Sequence, residues 1–126
     1  MQIVEYADWA LRQFFEEARK QPWFDNTIFV LEGDHGKLVG DAECELPESY
    51  NHIPLMIYSS RIQPEEKTAF GGQVDIQPTI LGLLNIDYLQ NNFGVDLLKE
   101  ERPCMFYTAD NMVVGPMTRY STFIIT

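Results

Sequence analysis

The fold is decided by the stretch Thr27-Ile28-Phe29-Val30-Leu31-Glu32-Gly33-Asp34-His35-Gly36. Its first five residues favour β structure and do not alternate between apolar and polar, which predicts a strand buried on both faces. The strand ends in a polar turn that contains two glycines. In open α/β sheets, ligands gather beyond the carboxyl ends of strands, so the position of this turn favours a binding or catalytic site.

The residues before this strand predict an amphipathic helix. Apolar residues between Ile3 and Lys20 recur at spacings of three and four, and charged residues occupy the opposite face. Pro22 is expected to stop the helix, and Asp25 and Asn26 supply the turn into the strand. A helix, a short loop and a buried strand are typical of an α/β unit, so we expect a mostly parallel sheet flanked by helices.

Downstream of the polar turn, residues 37–50 lack a sustained period and predict an exposed loop at the rim of the site. A second apolar run, Ile53–Tyr58, predicts another strand. Pro54 has no N–H to donate, so it is expected near the start of that strand or at a sheet edge. Residues Ser59–Lys67 then predict a loop.

A second helix is predicted in the following segment. Asp75 is expected to cap this helix, with Pro78 in its first turn and an apolar stripe that ends near Asn85. Beyond it, Met105–Tyr107 and Tyr120–Ile125 predict short strands of a small β hairpin or meander. These strands are separated by turn residues that include Asn111 and Gly115.

Composition and charge exclude several classes of function. The chain has 45% hydrophobic residues, as expected for a packed globular domain. Nine basic and 19 acidic residues give a net charge of -10, which opposes nucleic-acid binding. No apolar run approaches the roughly 20 residues that span a bilayer, so this segment is expected to be soluble. Cys44 and Cys104 lack the spacing of a zinc ribbon or redox motif, and their pairing stays open.

Asp34 and His35 form the candidate metal-binding pair. Glycines on both sides permit a sharp turn that exposes a carboxylate and an imidazole together. Zinc and manganese both accept these two donors, and composition does not choose between them. The pair alone is also compatible with a solvated loop in which the aspartate caps the backbone.

Thr27–Gly36 resembles the strand and metal-ligand segment of the alkaline phosphatase superfamily, especially sulfatases and lipoteichoic acid synthase-like phosphoglycerol transferases. The resemblance continues in Asn51–Tyr58 and Gly72–Leu81, in the family's order, and covers roughly residues 3–85. It implies that residues 1–126 are the C-terminal segment of a sulfatase-like catalytic domain. The implied fold is a partial alkaline-phosphatase-like sandwich.

The resemblance implies that Asp34 and His35 bind a divalent metal, with Mn, Zn or Ca as candidates. It also implies a role for His52 in substrate binding or as a ligand of a second metal. The alternative for His52 is a structural histidine at the entrance of a strand. The family's nucleophile is a Thr, Ser or formylglycine upstream, and neither Cys44 nor Cys104 begins the sulfatase pattern Cys-x-Pro-x-Arg. No catalytic residue is therefore expected in this segment.

The implied activity is that of a metal-dependent phosphoglycerol or phosphoethanolamine transferase, or of a sulfuric or phosphoric ester hydrolase, acting on an anionic ester substrate. The full-length protein is expected to be membrane-anchored and extracytoplasmic, at the periplasm or cell surface. The isolated segment is expected to be inactive and to need the missing N-terminal half of the catalytic domain as its partner. Exposed apolar surface would otherwise favour a homodimer. The alternative function is a noncatalytic packing or protein-interaction domain.

Other prominent residues have simpler explanations. Asp75 is expected to be a structural capping residue, not a ligand. Lys37 is expected to be solvated surface, although it follows the candidate metal turn. The aromatic residues Trp9, Trp23 and Phe24 are expected to serve in packing.

Overall fold

The computed structural model describes residues 2–36, 52–67, 70–102, 105–108, 114–117 and 123–125. These residues form a small α/β domain. Helix α1 spans Gln2–Ala18, a 3-10 helix spans Phe24–Asn26, and helix α2 spans Gln73–Leu83. The strands are β1 (Phe29–Glu32), β2 (Leu55–Tyr58), β3 (Glu65–Lys67), β4 (Met105–Thr108), β5 (Val114–Met117) and β6 (Phe123–Ile125). Within these ranges no helix is long and apolar enough to cross a membrane.

The main sheet has the strand order β1-β2-β6-β3. Strands β1 and β2 are antiparallel, with Glu32 opposite Leu55, and β3 and β6 are also antiparallel. Among the described strands only β2 and β6 pair in parallel. The prediction of a mostly parallel sheet is therefore corrected to a mixed sheet. An apolar run indicates burial, but it carries no information about the direction of the neighbouring strand.

The burial of β1 also differs from the prediction. Phe29 and Leu31 are half-buried, whereas Val30 and Glu32 are exposed, so the strand is covered on one face only. Such alternation is typical of antiparallel sheets with one solvated face. The apolar character of Val30 concealed this alternation in the sequence.

Two further predictions in the β regions are corrected. Residues Ser59–Lys67 were expected to form a loop, but Glu65–Lys67 is strand β3 at the sheet edge. Strands β4 and β5 form an antiparallel pair, as a small hairpin or meander requires. Gly115 lies within β5, opposite Tyr107, and is not a turn residue. The other predicted strand of this hairpin or meander contains β6, which pairs with β2 and β3 in the main sheet and not with β4.

An aromatic cluster joins α1 and the 3-10 helix to the main sheet. The ring of Phe15 lies 5.1 Å from that of Phe29 and 5.4 Å from that of Tyr58, and Phe24 lies 5.5 Å from Phe29. Phe24 is buried, which confirms its packing role. Trp9 is 54% exposed and its ring neighbour is Tyr6 on the same helix, so the structure does not place Trp9 in the core.

Helix α2 begins at Gln73, two residues before the predicted cap. Gly72 occupies the N-cap position, and Asp75 is the third helical residue, where its carboxylate accepts the N–H of Gly72 at 2.9 Å. Pro78 consequently lies in the second turn, not in the first. Its missing N–H leaves the carbonyl of Val74 without an intrahelical donor.

The end of α2 agrees with the predicted position. Asn85 adopts a positive φ of 53°, a conformation that asparagine tolerates better than most residues. The N–H of Ile86 donates to the carbonyl of Leu81 at 3.0 Å, and the N–H of Asn85 donates to Gly82 at 3.1 Å. This pair of bonds is the Schellman arrangement, which satisfies carbonyls at a helix C-terminus.

Asp75 is a buried charged residue with several protein donors. It is fully buried, and Arg102 contacts both of its carboxylate oxygens, at 2.8 Å through Nε and 2.5 Å through Nη2. The N–H of Val95 donates to the same carboxylate at 2.8 Å. The prediction of a structural role for Asp75 is confirmed, because its oxygens are engaged by protein donors. These contacts fix the first turn of α2 against the 93–102 segment.

Candidate metal centre

Asp34 and His35 directly follow β1, at the end of the main sheet. Their side chains are 90% and 58% exposed, respectively. The N–H of Gly33 donates to the carbonyl of Pro54 at 3.3 Å, which continues the antiparallel pairing of β1 and β2 by one residue. The turn is therefore attached to the segment that leads into β2.

The polar atoms of the pair have a defined arrangement. Asp34 Oδ1 accepts the backbone N–H of His35 at 2.9 Å, and His35 Nδ1 lies 2.7 Å from the carbonyl oxygen of Gly36. Since a carbonyl only accepts hydrogen bonds, this contact assigns a proton to Nδ1. In the neutral imidazole, Nε2 then carries the lone pair. Nε2 lies 3.7 Å from Asp34 Oδ2.

This arrangement fits two ligands of one cation. Nitrogen and oxygen ligands of zinc lie about 2.0–2.2 Å from the metal, so two of them can be at most about 4.4 Å apart. The separation of 3.7 Å between Nε2 of His35 and Oδ2 of Asp34 satisfies that limit. Donation from the second ring nitrogen to a backbone carbonyl is also the usual arrangement around a ligand histidine.

Two donors do not complete a metal site. The described part of the chain contains no group of three or more His, Cys, Asp or Glu residues that could hold a metal ion. A structural zinc site needs four ligands and a catalytic one usually three from the protein. Asp34 and His35 can therefore supply only part of a coordination sphere.

His52 lies on the exposed segment before β2. The β1–β2 register ends at Glu32 and Leu55, and Leu55 lies three residues beyond His52 along the chain. His52 does not join the pair in a three-residue metal cluster among the described residues. A substrate-binding or second-metal role for His52 stays a prediction.

Gln73 is a residue of this site that the sequence analysis missed. It is the first residue of α2, and its Nε2 donates to the carbonyl of Asp34 at 3.2 Å and to that of Gly33 at 3.4 Å. No local pattern could have indicated this contact, because about 40 residues separate the partners in sequence. It depends on how α2 meets the end of β1.

Several predicted features lie outside the described residues. They are the rim loop at 37–50 with Lys37 and Cys44, and Cys104 near the start of β4. Their predicted roles stay predictions.

Comparison with known proteins identifies the family. The family model for sulfatases matches residues 1–86, a range that includes α1, β1, the Asp34–His35 turn and α2. The chain belongs to the sulfatase family, within the alkaline-phosphatase-like proteins. The predicted family resemblance is thereby confirmed.

Several similar curated proteins are lipoteichoic acid synthases. The chain is 31% identical to lipoteichoic acid synthase 2 and 30% identical to lipoteichoic acid synthase 1 of Bacillus subtilis strain 168. It is 27% identical to the lipoteichoic acid synthase of Staphylococcus aureus strain USA300. Each match covers 79% of this chain but only 18% of the relative, so the chain spans about a fifth of these proteins. No solved structure shows a significant match.

Proposed function

We propose that this chain is the C-terminal part of the catalytic domain of a metal-dependent transferase for phosphoglycerol or phosphoethanolamine groups. The observation that carries the proposal is the 3.7 Å approach of Asp34 Oδ2 and His35 Nε2 in a turn within the sulfatase match. A sulfuric or phosphoric ester hydrolase would use the same ligands. The names of the three relatives described above, lipoteichoic acid synthases, favour the transferase.

Asp34 and His35 act in this proposal as metal ligands. When bound, a divalent metal neutralises charge that develops on an anionic ester and lowers the pKa of an attacking hydroxyl. The carboxylate of Asp34 contributes one negative charge to the centre. The contact of His35 Nδ1 with Gly36 keeps the imidazole in the tautomer that presents Nε2. The imidazole disfavours calcium, which takes oxygen ligands, so we propose manganese or zinc.

The remaining ligands and the nucleophile are proposed to come from the N-terminal half of the same catalytic domain. The exposed apolar face of α1 supports such a partner, because large side chains there stand in solvent. The most exposed are Ile3, Val4, Tyr6 and Trp9, at 83%, 73%, 68% and 54%. Phe14 and Trp23 line an open cleft of about 560 Å³ beside the same helix. A second copy of the chain is the alternative occupant of this surface.

The relatives also support a proposed location. We infer a membrane-anchored protein whose catalytic domain faces the outside of the cell, a location that the similarity to lipoteichoic acid synthases supports. The net charge of -10 does not oppose binding of an anionic ester substrate, because a bound divalent metal reverses the local field.

A noncatalytic packing or protein-interaction domain is the second candidate function. The incomplete ligand set among the described residues favours it for the chain in isolation. The two candidates differ in a direct way, since only the first requires Asp34 and His35 to bind metal together.

A Mn²⁺ titration of the wild type, Asp34→Asn and His35→Gln tests the proposed function. The wild type is expected to bind weakly, and each variant about tenfold more weakly or not at all, because each removes one donor. Asp87→Asn is the matched control, since this exposed carboxylate follows α2 and lies outside the turn. Equal binding by all four proteins would leave the noncatalytic domain as the better account.

A further inference from the structure

Gln73 connects two parts of the fold that are distant in sequence. Its side-chain amide donates to two successive backbone carbonyls, those of Gly33 and Asp34, at 3.4 and 3.2 Å. These carbonyls belong to the two peptide units that flank the Asp34 Cα. An amide suits this position, because it supplies two N–H donors without a charge.

The Gln73 side chain extends from a part of the backbone that is held in place. Asp75, two residues further along α2, is fully buried and paired with Arg102. Its carboxylate also accepts the N–H of Gly72, the residue just before Gln73. The backbone of Gln73 therefore lies between two anchored neighbours, and its side chain extends from a rigid helix end.

The backbone at Gly33, whose carbonyl accepts from Gln73, is also held by the segment before β2. The N–H of Gly33 donates to the carbonyl of Pro54 at 3.3 Å, while the carbonyl of Gly33 accepts from Gln73. A rotation of the Gly33–Asp34 peptide would break the contact of the Gly33 carbonyl with Gln73. The same rotation would move the Asp34 carboxylate relative to the imidazole of His35.

We propose that Gln73 is a positioning residue that fixes the backbone of the Asp34–His35 turn for metal binding. The proposal rests on the proposed metal function of that turn. Gln73 acts through the backbone and does not itself touch the metal. Its loss should therefore loosen the turn in the metal-free protein and weaken metal binding together.

Three variants of the intact chain separate this role from others. Gln73→Met keeps the length of the side chain and removes both donors. Gln73→Glu removes the donors and adds a negative charge, which would attract a cation if proximity of charge were all that mattered. Gln77→Met is the matched control, because Gln77 lies one turn further along α2 and contacts Asn92, not the turn.

Two measurements are made on each variant. The first is the NMR chemical shift and hydrogen exchange of the backbone amides at 33–36 without metal. The second is the dissociation constant for Mn²⁺. Gln73→Met and Gln73→Glu are both expected to shift these amides, to speed their exchange and to weaken Mn²⁺ binding on the order of tenfold, as for other outer-shell partners. Gln77→Met is expected to match the wild type in both.

The outcomes distinguish the two proposals. If the wild type binds Mn²⁺ and Gln73→Met binds it equally well, the positioning role is overturned and the metal function stands. Tighter binding by Gln73→Glu would also overturn it, in favour of a purely electrostatic effect. If the wild type does not bind Mn²⁺, the proposed metal function fails, and this role of Gln73 fails with it, whatever the amide shifts show about the contact.

Discussion

At the residue scale, charged side chains in this domain occupy two contrasting environments. Asp34 is almost fully exposed, and its Oδ2 faces the imidazole of His35. Asp75 is fully buried, and protein donors engage both of its oxygens. A cation can reach the carboxylate of Asp34, whereas the carboxylate of Asp75 binds protein donors that fix the start of α2. The proposed role of Asp34 in metal binding is thus separate from the role of Asp75 in stability.

Replacement of Asp75 is expected to destabilise the fold severely. Asp75→Asn removes the negative charge that Asp75 places against the guanidinium of Arg102, which is only 14% exposed. Breaking a buried ion pair in this way costs about 3–5 kcal/mol. Asp8→Asn is the control, because it breaks an exposed pair with Arg12 that is worth about 0.5 kcal/mol or less. Chemical denaturation of both variants measures the difference, and equal midpoints would contradict the structural role of Asp75.

At the element scale, the sequence predicted where the elements lie better than how they pair. Helix α1, strands β1 and β2, helix α2 and the turn at Asp34–His35 all follow from local patterns of apolar, capping and turn residues. Strand direction depends on contacts between distant segments, which a single sequence does not contain. The two bonds of Gln73 and the ion pair of Asp75 with Arg102 are missing from the sequence analysis for the same reason.

Helix α2 also depends on a glycine outside it. Pro78 leaves the Val74 carbonyl without a helical donor, and Gly94 packs so closely there that an added Cβ would overlap this oxygen and touch Pro78 Cγ at 2.9 Å. Gly94→Ala is therefore expected to lower the free energy of unfolding by about 1–3 kcal/mol, as in other overpacked sites.

The control for this prediction is Gly33→Ala. The nearest atom to a Cβ at Gly33 is Ile53 Cβ at 3.4 Å, an ordinary contact. Denaturant unfolding should show a much smaller change for Gly33→Ala than for Gly94→Ala. Equal stability of Gly94→Ala and the wild type would refute the close packing of Gly94 on α2.

At the scale of the whole molecule, the domain combines a partial site with an uncovered apolar surface. The described residues supply two candidate ligands, and the chain spans only 18% of its lipoteichoic acid synthase relatives. The exposed side chains of α1, such as Ile3 and Trp9, lie outside the aromatic cluster that joins Phe15 to the sheet. Both features are accounted for if the rest of a sulfatase-family catalytic domain covers α1 and completes the metal centre.

The most direct test of the metal centre is anomalous X-ray diffraction from crystals of the chain soaked in Mn²⁺. We expect an anomalous peak at bonding distance from both His35 Nε2 and Asp34 Oδ2, slightly longer than the about 2.0–2.2 Å of zinc because Mn²⁺ is the larger ion. The peak should be absent from crystals of the His35→Gln variant treated in the same way. A wild-type map without a peak at this turn, or with peaks only at other carboxylates, would contradict the assignment of Asp34 and His35 as metal ligands.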